Sequence, residues 1–507
     1  MEVNELEASF KALSIPKAHV TVGLSNLVAA NKTFRSLFVN RRMPEEGWTE
    51  FDIQHFLFTL SILDTNNKTP VQNGSKNFGS NSNNNNNSSS STGGRWCGVG
   101  EREGRVYSSL VAQRHFGLAH GIGRSGDITE PQPKALGSSV LAKLTLILVL
   151  DLVRRGSGLD RKTAAAHGVL LPMCTGMTMS LVLSSLRQAV ASGNNNDTTI
   201  KPVKDIVLWS RIDQKSVLKS IQTAGMQCIV IPTKIVGDAV TTDLDALEAA
   251  IDEYGERVLA VITTTSCFAP RETDAADKVA KLCQEHNVHH VINHAYGLQS
   301  TRANKLLNRA CVVGRVDAIV CSTDKNFLVP VGGALVLSPR SEVVKNIGKN
   351  YAGRASLSPL VDLFITLLSM GMNGYKNLLE QRQKILQTFP QQFHQVAEKH
   401  GERLLVCETN DISFAISLDT MTEKDEDVSA LGAMLFSRCV SGTRVVARGE
   451  EKTVCGFPFH GFGSSVDGYP YSYLTAACAI GLGENEVDLF LRRLDKTLGE
   501  FKKKQKK

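Results

Sequence analysis

The sequence predicts an α/β fold: a mostly parallel sheet sandwiched by helices, with a helical extension before it and a smaller α+β domain after it. Three observations carry that reading. From about residue 203, short apolar or β-branched runs alternate with helical periods, which is the rhythm of βαβ units. A chain of 507 residues, 42% of them hydrophobic, has material for a large core and for more than one domain. A long polar stretch separates the first helical segment from all that follows.

In chain order, residues 1–64 form the helical extension. Leu6, Phe10, Leu13, Leu24, Leu27 and Val28 recur at helical spacings, and FDIQHFLFTLSIL (51–63) continues them. Residues 65–95 are an Asn/Ser-rich insert, expected to be disordered because it has almost nothing to bury. A second, smaller surface insertion is expected at NNNDT (194–198). The main domain spans 96–355. Strands are predicted at DIVLWS (205–210), CIVIPT (228–233), VLAVITTT (258–265), HHVINHA (289–295), AIVCST (318–323) and GALVLS (333–338), with helices at 217–225, 244–255 and 274–286 between them. Residues 356–507 begin with a long helix at about 359–400 and end in a basic tail.

The formal charge is +7, but it is not spread evenly. Residues 491–507 hold eight Lys or Arg against two acids, so the rest is near neutral. Eleven cysteines without a CxxC pair argue against a disulfide framework or structural zinc and fit a reducing compartment. The acidic start MEVNELEASF is unlike a secretory signal, and the apolar run at 144–153 is short and contains Asp151. A cytoplasmic protein without membrane contact is the expectation.

In such sheets chemistry collects in the loops after the strands. Lys325 directly follows one predicted strand, where partial desolvation of its amine favours the neutral nucleophile that forms an imine. Asn293 ends another strand. Thr175, Gly176 and Met177 open an apolar helix, whose free N–H groups and hydroxyls suit a phosphate. Phosphate cup, polar side chain after a strand, then Ser322-x-x-Lys325 is the order used by fold-type I pyridoxal phosphate enzymes.

Several longer blocks narrow the reading: GVGEREGRV (98–106), HGIGRSGD (120–127), RIDQKS (211–216), TTSCFAPR (264–271), NHAYGLQS (293–300), TDKNFLVPVGGA (323–334), GRAS (353–356) and VSGTRVV (440–446). From about residue 40 to 500 the chain resembles the O-phosphoseryl-tRNA(Sec) selenium transferases, the archaeal and eukaryotic selenocysteine synthases. The resemblance implies a fold-type I enzyme that uses pyridoxal 5'-phosphate and selenophosphate to turn O-phosphoseryl-tRNA(Sec) into selenocysteinyl-tRNA(Sec). It implies a homotetramer built from dimers, with sites at the dimer interface and the N-terminal helices assembling the tetramer.

Residue by residue, the resemblance gives Lys325 as the imine-forming lysine. Cys174, Thr175 and Gly176 fall in the phosphate-side loop, Gln214 lies near the ring with Ala295 packing on its face, and Ser216 is a further cofactor-binding residue. Asn293 stands where most fold-type I enzymes have an Asp beside the pyridine nitrogen, and an Asn lacks the anion that fixes a pyridinium. Arg102 is the arginine that reaches the cofactor phosphate across a subunit boundary, and Glu101 repels a free α-carboxylate. Arg124, Ser125, Gln132 and Arg354 bind the phosphate of the phosphoseryl group. Arg grips phosphate bidentately, and glycines 121, 123 and 126 let backbone N–H groups approach it. Arg444 matches a tRNA-contacting position, whereas Val312 stands where the family can carry an arginine; Lys496, in the basic tail, is expected to lie along tRNA phosphates.

Other residues keep a plain reading. His289 and His290 point to opposite faces of a strand rather than to one metal. His294 replaces an expected Asn. Cys174 and Cys321 read as small buried thiols, and Lys215 is equally a substrate contact or a solvated side chain. Two other functions stay open on the residues alone: a pyridoxal lyase, desulfurase or decarboxylase acting on a free amino acid, and a non-catalytic tRNA-binding scaffold.

Overall fold

The computed structural model describes residues 9–10, 12–65, 99–193, 203–421 and 428–505. Both predicted insertions, 65–95 but for Thr65 and 194–198, lie outside the described residues. The main sheet has seven strands in the order β1-β9-β8-β7-β6-β2-β3. These are β1 (His167–Leu171), β2 (Ile206–Ser210), β3 (Gln227–Ile231), β6 (Val258–Thr264), β7 (His289–Asn293), β8 (Ala318–Ser322) and β9 (Ala334–Ser338), with the hairpin β4 (Thr233–Val236) and β5 (Ala239–Thr242) set apart. β3, β2, β6, β7 and β8 pair in parallel; β9 lies antiparallel between β8 and β1. Every residue of β2, β6, β8 and β9 is buried, as expected of strands covered on both faces. This is the predicted fold-type I α/β architecture.

The predicted strand and helix positions hold to within a few residues. The long helix differs. Ser358–Lys399 is interrupted at Gly371, whose φ of 62° and ψ of −179° are not helical. The cause is the segment before helix Glu50–Ile62. Pro44 O accepts from Met372 N (2.8 Å), Glu45 O from Asn373 N (2.9 Å), and Trp48 N donates to Leu368 O (2.8 Å). A Cβ at Gly371 would lie 2.6 Å from the carbonyl carbon of Glu46, so only glycine fits this crossing. Helices Lys17–Asn40 and Glu50–Ile62 thus share one core with the main sheet, through Phe34, Leu37, Phe56, Leu57 and Phe364.

Helix Leu136–Arg155 is long and apolar enough to cross a membrane by length and composition, yet Leu141, Leu148, Val149, Leu152 and Val153 are fully buried in that core. Asp151 within it accepts from Met43 N (2.9 Å) and pairs with Arg155 (3.0 Å).

The C-terminal part carries a second, antiparallel sheet in the order β10-β11-β15-β12, formed by Leu404–Leu405 (β10), Ser413–Ser417 (β11), Arg444–Val446 (β12) and Tyr473–Ala477 (β15). Strands Lys452–Val454 (β13) and Phe457–Phe459 (β14) form a hairpin beside it. The basic tail is not a loose terminus over its described length. Residues Glu484–Gln505 are one helix, seated by Val487, Leu491, Leu494, Leu498 and Phe501 on the core of this part.

Candidate active site

The carboxyl ends of β1, β2, β6, β7 and β8 point to one edge of the sheet, and there they frame a cavity of about 540 Å³. β1 leads into helix Thr175–Gly193, whose first N–H groups have no partner within the helix. β2 leads to Gln214, β7 ends at Asn293, and β8 is followed by the single turn Thr323–Phe327 that carries Lys325. The cavity is lined by Thr175, Gly176, Gln214, Ser216, Asn293, Ala295 and Lys325, the predicted cofactor set apart from Cys174 and Arg102. Cys174 corrects the expectation of a buried thiol. It precedes the helix, gives its carbonyl to Thr178 N (2.9 Å), and is exposed. Cys321, inside β8, is fully buried as expected.

The turn holding Lys325 is fastened from below. Asn326 Nδ2 donates to Ala295 O (2.8 Å) and Ser322 O (2.7 Å), tying the ends of β7 and β8 together. Thr323 Oγ1 donates to Gly333 O (2.9 Å), and a Cβ on Gly333 would sit 2.7 Å from that hydroxyl. The Lys325 side chain itself is exposed, its Nζ 5.9 Å from the centre of the Tyr296 ring. The desolvation expected of a strand-end lysine is therefore not supplied by this chain, because the turn places the amine at the mouth of the cavity rather than within the sheet. Asn293 Nδ2 reaches Gln214 Oε1 at 3.5 Å, and its Oδ1 accepts from Ala295 N at 3.3 Å. The Tyr296 hydroxyl is buried with no hydrogen-bond partner among the described residues, and burial pushes its phenol well above the ordinary value.

A supporting tier escaped the sequence reading. Gln299 donates to Tyr296 O (3.0 Å) and Lys325 O (3.4 Å) and accepts from Ile480 N (2.6 Å). Behind it, buried Arg382 donates to Gln299 O (3.0 Å), Cys478 O (2.9 Å) and Asp411 O (2.5 Å). The Arg and Asp of RIDQKS form a clamp across the molecule. Arg211 pairs with Asp213 (3.1 Å) and Asp467 (2.5 Å), while Asp213 accepts from Gly463 N (2.7 Å) and Ser465 N (2.8 Å). The clamp sets the position of Gln214. Its signal was a charged pair two residues apart at a strand end; Arg382, in mid-helix, gave none.

A second group stands apart from this cavity. Arg354 donates to His120 O and pairs with Glu103 (2.8 Å), which also accepts from Lys134 (2.8 Å). Lys134 bonds Glu101 as well, so the Glu101 carboxylate is engaged by a cation rather than free to repel an anion. Arg124 lies 3.9 Å from Glu130 in a turn closed by its own N–H to Asp127 O (2.9 Å). Gly123 allows the turn, since a Cβ there would lie 2.5 Å from Ile128. Ser125 and Arg102 are exposed, and Gln132 N donates to Ser139 Oγ (2.9 Å). None of Glu101, Arg102, Arg124, Ser125, Gln132 or Arg354 lines the Lys325 cavity.

The sequence profile of the O-phosphoseryl-tRNA(Sec) selenium transferases matches residues 86–499. The chain belongs to this family. The O-phosphoseryl-tRNA(Sec) selenium transferase of Dictyostelium discoideum is 44% identical over 483 residues, covering 92% of this chain and 93% of that one. An archaeal O-phosphoseryl-tRNA(Sec) selenium transferase crystal structure superposes with a TM-score of 0.79 at 29% identity, over 95% of this chain and 98% of the other. An Oryza sativa TDC solved with PLP and tryptamine is 15% identical, with a TM-score of 0.53 over 72% and 77% of the chains, a likeness of fold alone.

Within this selenium transferase the remaining candidates fall as follows. Arg444, on β12, is half-buried with its guanidinium 4.8 Å from the ring of Phe268 in the cavity wall. Lys496 is exposed on the outer face of the last helix, in one row with exposed Arg492 and Lys503, while Lys502 is turned inward to His400 O (2.7 Å). Val312 and Lys215 are exposed. His289 pairs with Asp317 (2.9 Å), and His290 meets Thr263 Oγ1 (2.8 Å) on the other face of β7. His294 is buried between Thr265 Oγ1 (2.7 Å) and Asn304 Oδ1 (3.0 Å), and Gly297 leaves room for its ring.

Proposed function

We propose that the chain converts O-phosphoseryl-tRNA(Sec) to selenocysteinyl-tRNA(Sec), taking selenium from selenophosphate and using pyridoxal 5'-phosphate held in the cavity at the sheet's carboxyl edge. The observation that carries this is one cavity lined at once by Lys325, a helix N-terminus and the neutral pair Asn293 and Gln214. Those residues fit the cofactor: helix N-terminal N–H groups for its phosphate, the buried Tyr296 hydroxyl with no partner among the described residues, and a lysine for its aldehyde. When bound, pyridoxal phosphate supplies an electron sink for a carbanion at the substrate's Cα.

The chain's own residues do the rest. The N–H groups of Thr175 and Gly176, with the Thr175 hydroxyl and Ser216, hold the phosphate end. Gln214, Asn293 and Ala295 surround the ring, and Cys174 marks the outer lip of that loop. The Lys325 amine takes the proton from Cα of the phosphoseryl group. Arg124, Ser125, Gln132 and Arg354 grip the substrate phosphate and stabilise it as it leaves with the Cβ–O electrons. The selenium of selenophosphate then adds to Cβ as the Lys325 ammonium returns the proton to Cα, and water cleaves the Se–P bond, releasing a second phosphate and leaving the selenol. Because the phosphate group and the Lys325 cavity stand apart in one chain, a second copy brings one to the other, with Arg102 and Glu101 on the 99–107 loop crossing between copies. Dimers of this kind pair into a homotetramer through the N-terminal helices, ahead of the main domain at 96–355 and the C-terminal unit at 356–507. Arg444 and the exposed row Arg492, Lys496 and Lys503 meet tRNA phosphates in the cytoplasm.

The test incubates protein loaded with pyridoxal phosphate with phosphoseryl-tRNA(Sec) and selenophosphate, and in parallel with free O-phosphoserine. Selenocysteinyl-tRNA in the first mixture alone is the expected result. Turnover of free phosphoserine without tRNA turnover would replace this reading with a lyase acting on the amino acid.

A further inference from the structure

The cluster around Arg354 contains more than the four residues assigned to the substrate phosphate. Lys134 lies two residues beyond Gln132 and is three-quarters enclosed, its side chain 27% exposed. Its ammonium is bonded to Glu101 and, at 2.8 Å, to Glu103 Oε1. The same Glu103 oxygen accepts from Arg354 Nη1 at 2.8 Å. One carboxylate oxygen therefore sits between a lysine and an arginine, as a phosphate oxygen would. Burial without partners continues behind it. Arg354 Nε and both ring nitrogens of His120, itself 4% exposed, have no hydrogen-bond partner among the described residues.

Glu103 is held differently from the cations it joins. Its side chain is 46% exposed, and it lies in an irregular loop next to Gly104, whose φ is 78°. A Cβ at Gly104 would come within 2.7 Å of the His120 ring, so the glycine lets the loop lie flat over the pocket. The Lys134 hydrogen bond, chief among the causes, holds the Glu103 carboxyl below its ordinary value. Glu101 and Glu103 together cancel the charge of Lys134 and Arg354.

We propose that Glu103 is a displaceable stand-in for the substrate's phosphate, and that Lys134 is a further ligand of that phosphate. A phosphoseryl dianion offers more charge and more acceptor oxygens than a single carboxylate, so it displaces Glu103 from Lys134 and Arg354. A seryl group without phosphate has no charge with which to compete, so the closed pair acts as a specificity filter. The inference rests on the assignment of Arg354 to the phosphate.

Calorimetric titration of inorganic phosphate into the protein loaded with pyridoxal phosphate, at fixed ionic strength, tests it. Glu103→Gln is expected to tighten phosphate binding about tenfold, because the competing charge is gone, and Lys134→Met to weaken it about tenfold. With phosphoseryl-tRNA, Glu103→Gln should lower KM and leave kcat within about twofold. Glu103→Asp, which keeps the charge, should stay on the wild-type side. An unchanged phosphate affinity in Glu103→Gln overturns the displacement, and one in Lys134→Met overturns the lysine's role. Arg354→Met is the control for the underlying assignment. If it leaves phosphate affinity unchanged, the phosphate site itself is misplaced; if it weakens binding while the other two variants do nothing, only the present inference fails.

Discussion

Replacing Arg382 with Met should damage stability and catalysis together, because this one side chain holds the tier beneath Lys325. Arg382 is 2% exposed and donates to the carbonyls of Gln299, Cys478 and Asp411. Methionine fills much of the volume but donates nothing, so three backbone oxygens lose their donor at once. A buried acceptor left unsatisfied costs about 1–3 kcal/mol, and truncating a buried charged partner about 3–5 kcal/mol. The losses share one side chain, so they do not add fully, and a total near 4 kcal/mol is expected. Arg382→Lys keeps the charge but cannot span three carbonyls, and should lose about half as much. Urea unfolding followed by circular dichroism gives the stability change. The catalytic effect runs through Gln299, which donates to Lys325 O and accepts from Ile480 N. A shift in that carbonyl moves the lysine's backbone, and kcat should fall roughly 10–100-fold. In a Gln299→Ala background the further kcat loss from Arg382→Met should largely disappear. An Arg382→Met protein within about 0.5 kcal/mol of wild type would refute the accounting, since surface substitutions already do that much.

Two further outcomes follow from the same geometry. Lys325→Ala should abolish both the visible absorbance of lysine-linked cofactor and all turnover, while leaving the fold intact, because the side chain is exposed; a mutant that keeps absorbance and activity removes the assignment. The second outcome is acid lability: burial pushes the imidazoles of His290 and His294 down to about 4, so both are neutral in the fold at pH 7. Their stabilising contribution is complete above the unfolded value near 6.5 and is lost as pH falls from there toward 4, by about 1.4 kcal/mol per pH unit for each group. Unfolding midpoints measured between pH 7.5 and 5 should therefore fall, and His294→Asn should remove about half of the slope over that range; an unaltered slope would contradict this.

The parts of the molecule that were legible beforehand are those decided by local pattern. β2, β6, β8 and β9 are buried on both faces, so their sequences are nearly continuous apolar runs that no surface segment would carry. Asn293 and Lys325 could be placed because a strand end is visible in the chain, strand ends in parallel sheets sharing one edge, and Thr175 because it opens an apolar helix. What stayed hidden depends on partners far away in sequence. Arg382 meets Gln299 and Asp411, and Gly371 breaks its helix only because residues 44–48 cross there. The final helix was hidden for another reason. Leu491, Leu494, Leu498 and Phe501 carry a helical period in plain view, but the eight basic residues of 491–507 drew the reading of a basic tail instead.

The chemistry of the cavity follows from which acids it lacks. Asp324 is an acid in its wall, and Ser322 Oγ donates to that carboxylate, so it is occupied at the lysine's own turn. Two amides, Asn293 and Gln214, bonded to each other at 3.5 Å, line the same cavity. Neutral amides stabilise a protonated ring nitrogen far less than a carboxylate does, which weakens the pull on electrons from Cα. An enzyme that had to hold a long-lived carbanion would suffer from that. One that expels phosphate does not, because the electrons leave through Cβ–O as soon as the Cα proton is lost. The burden of charge stabilisation then moves to the leaving group. On the phosphate assignment proposed above, Arg124, Lys134 and Arg354 are the cations that would carry it.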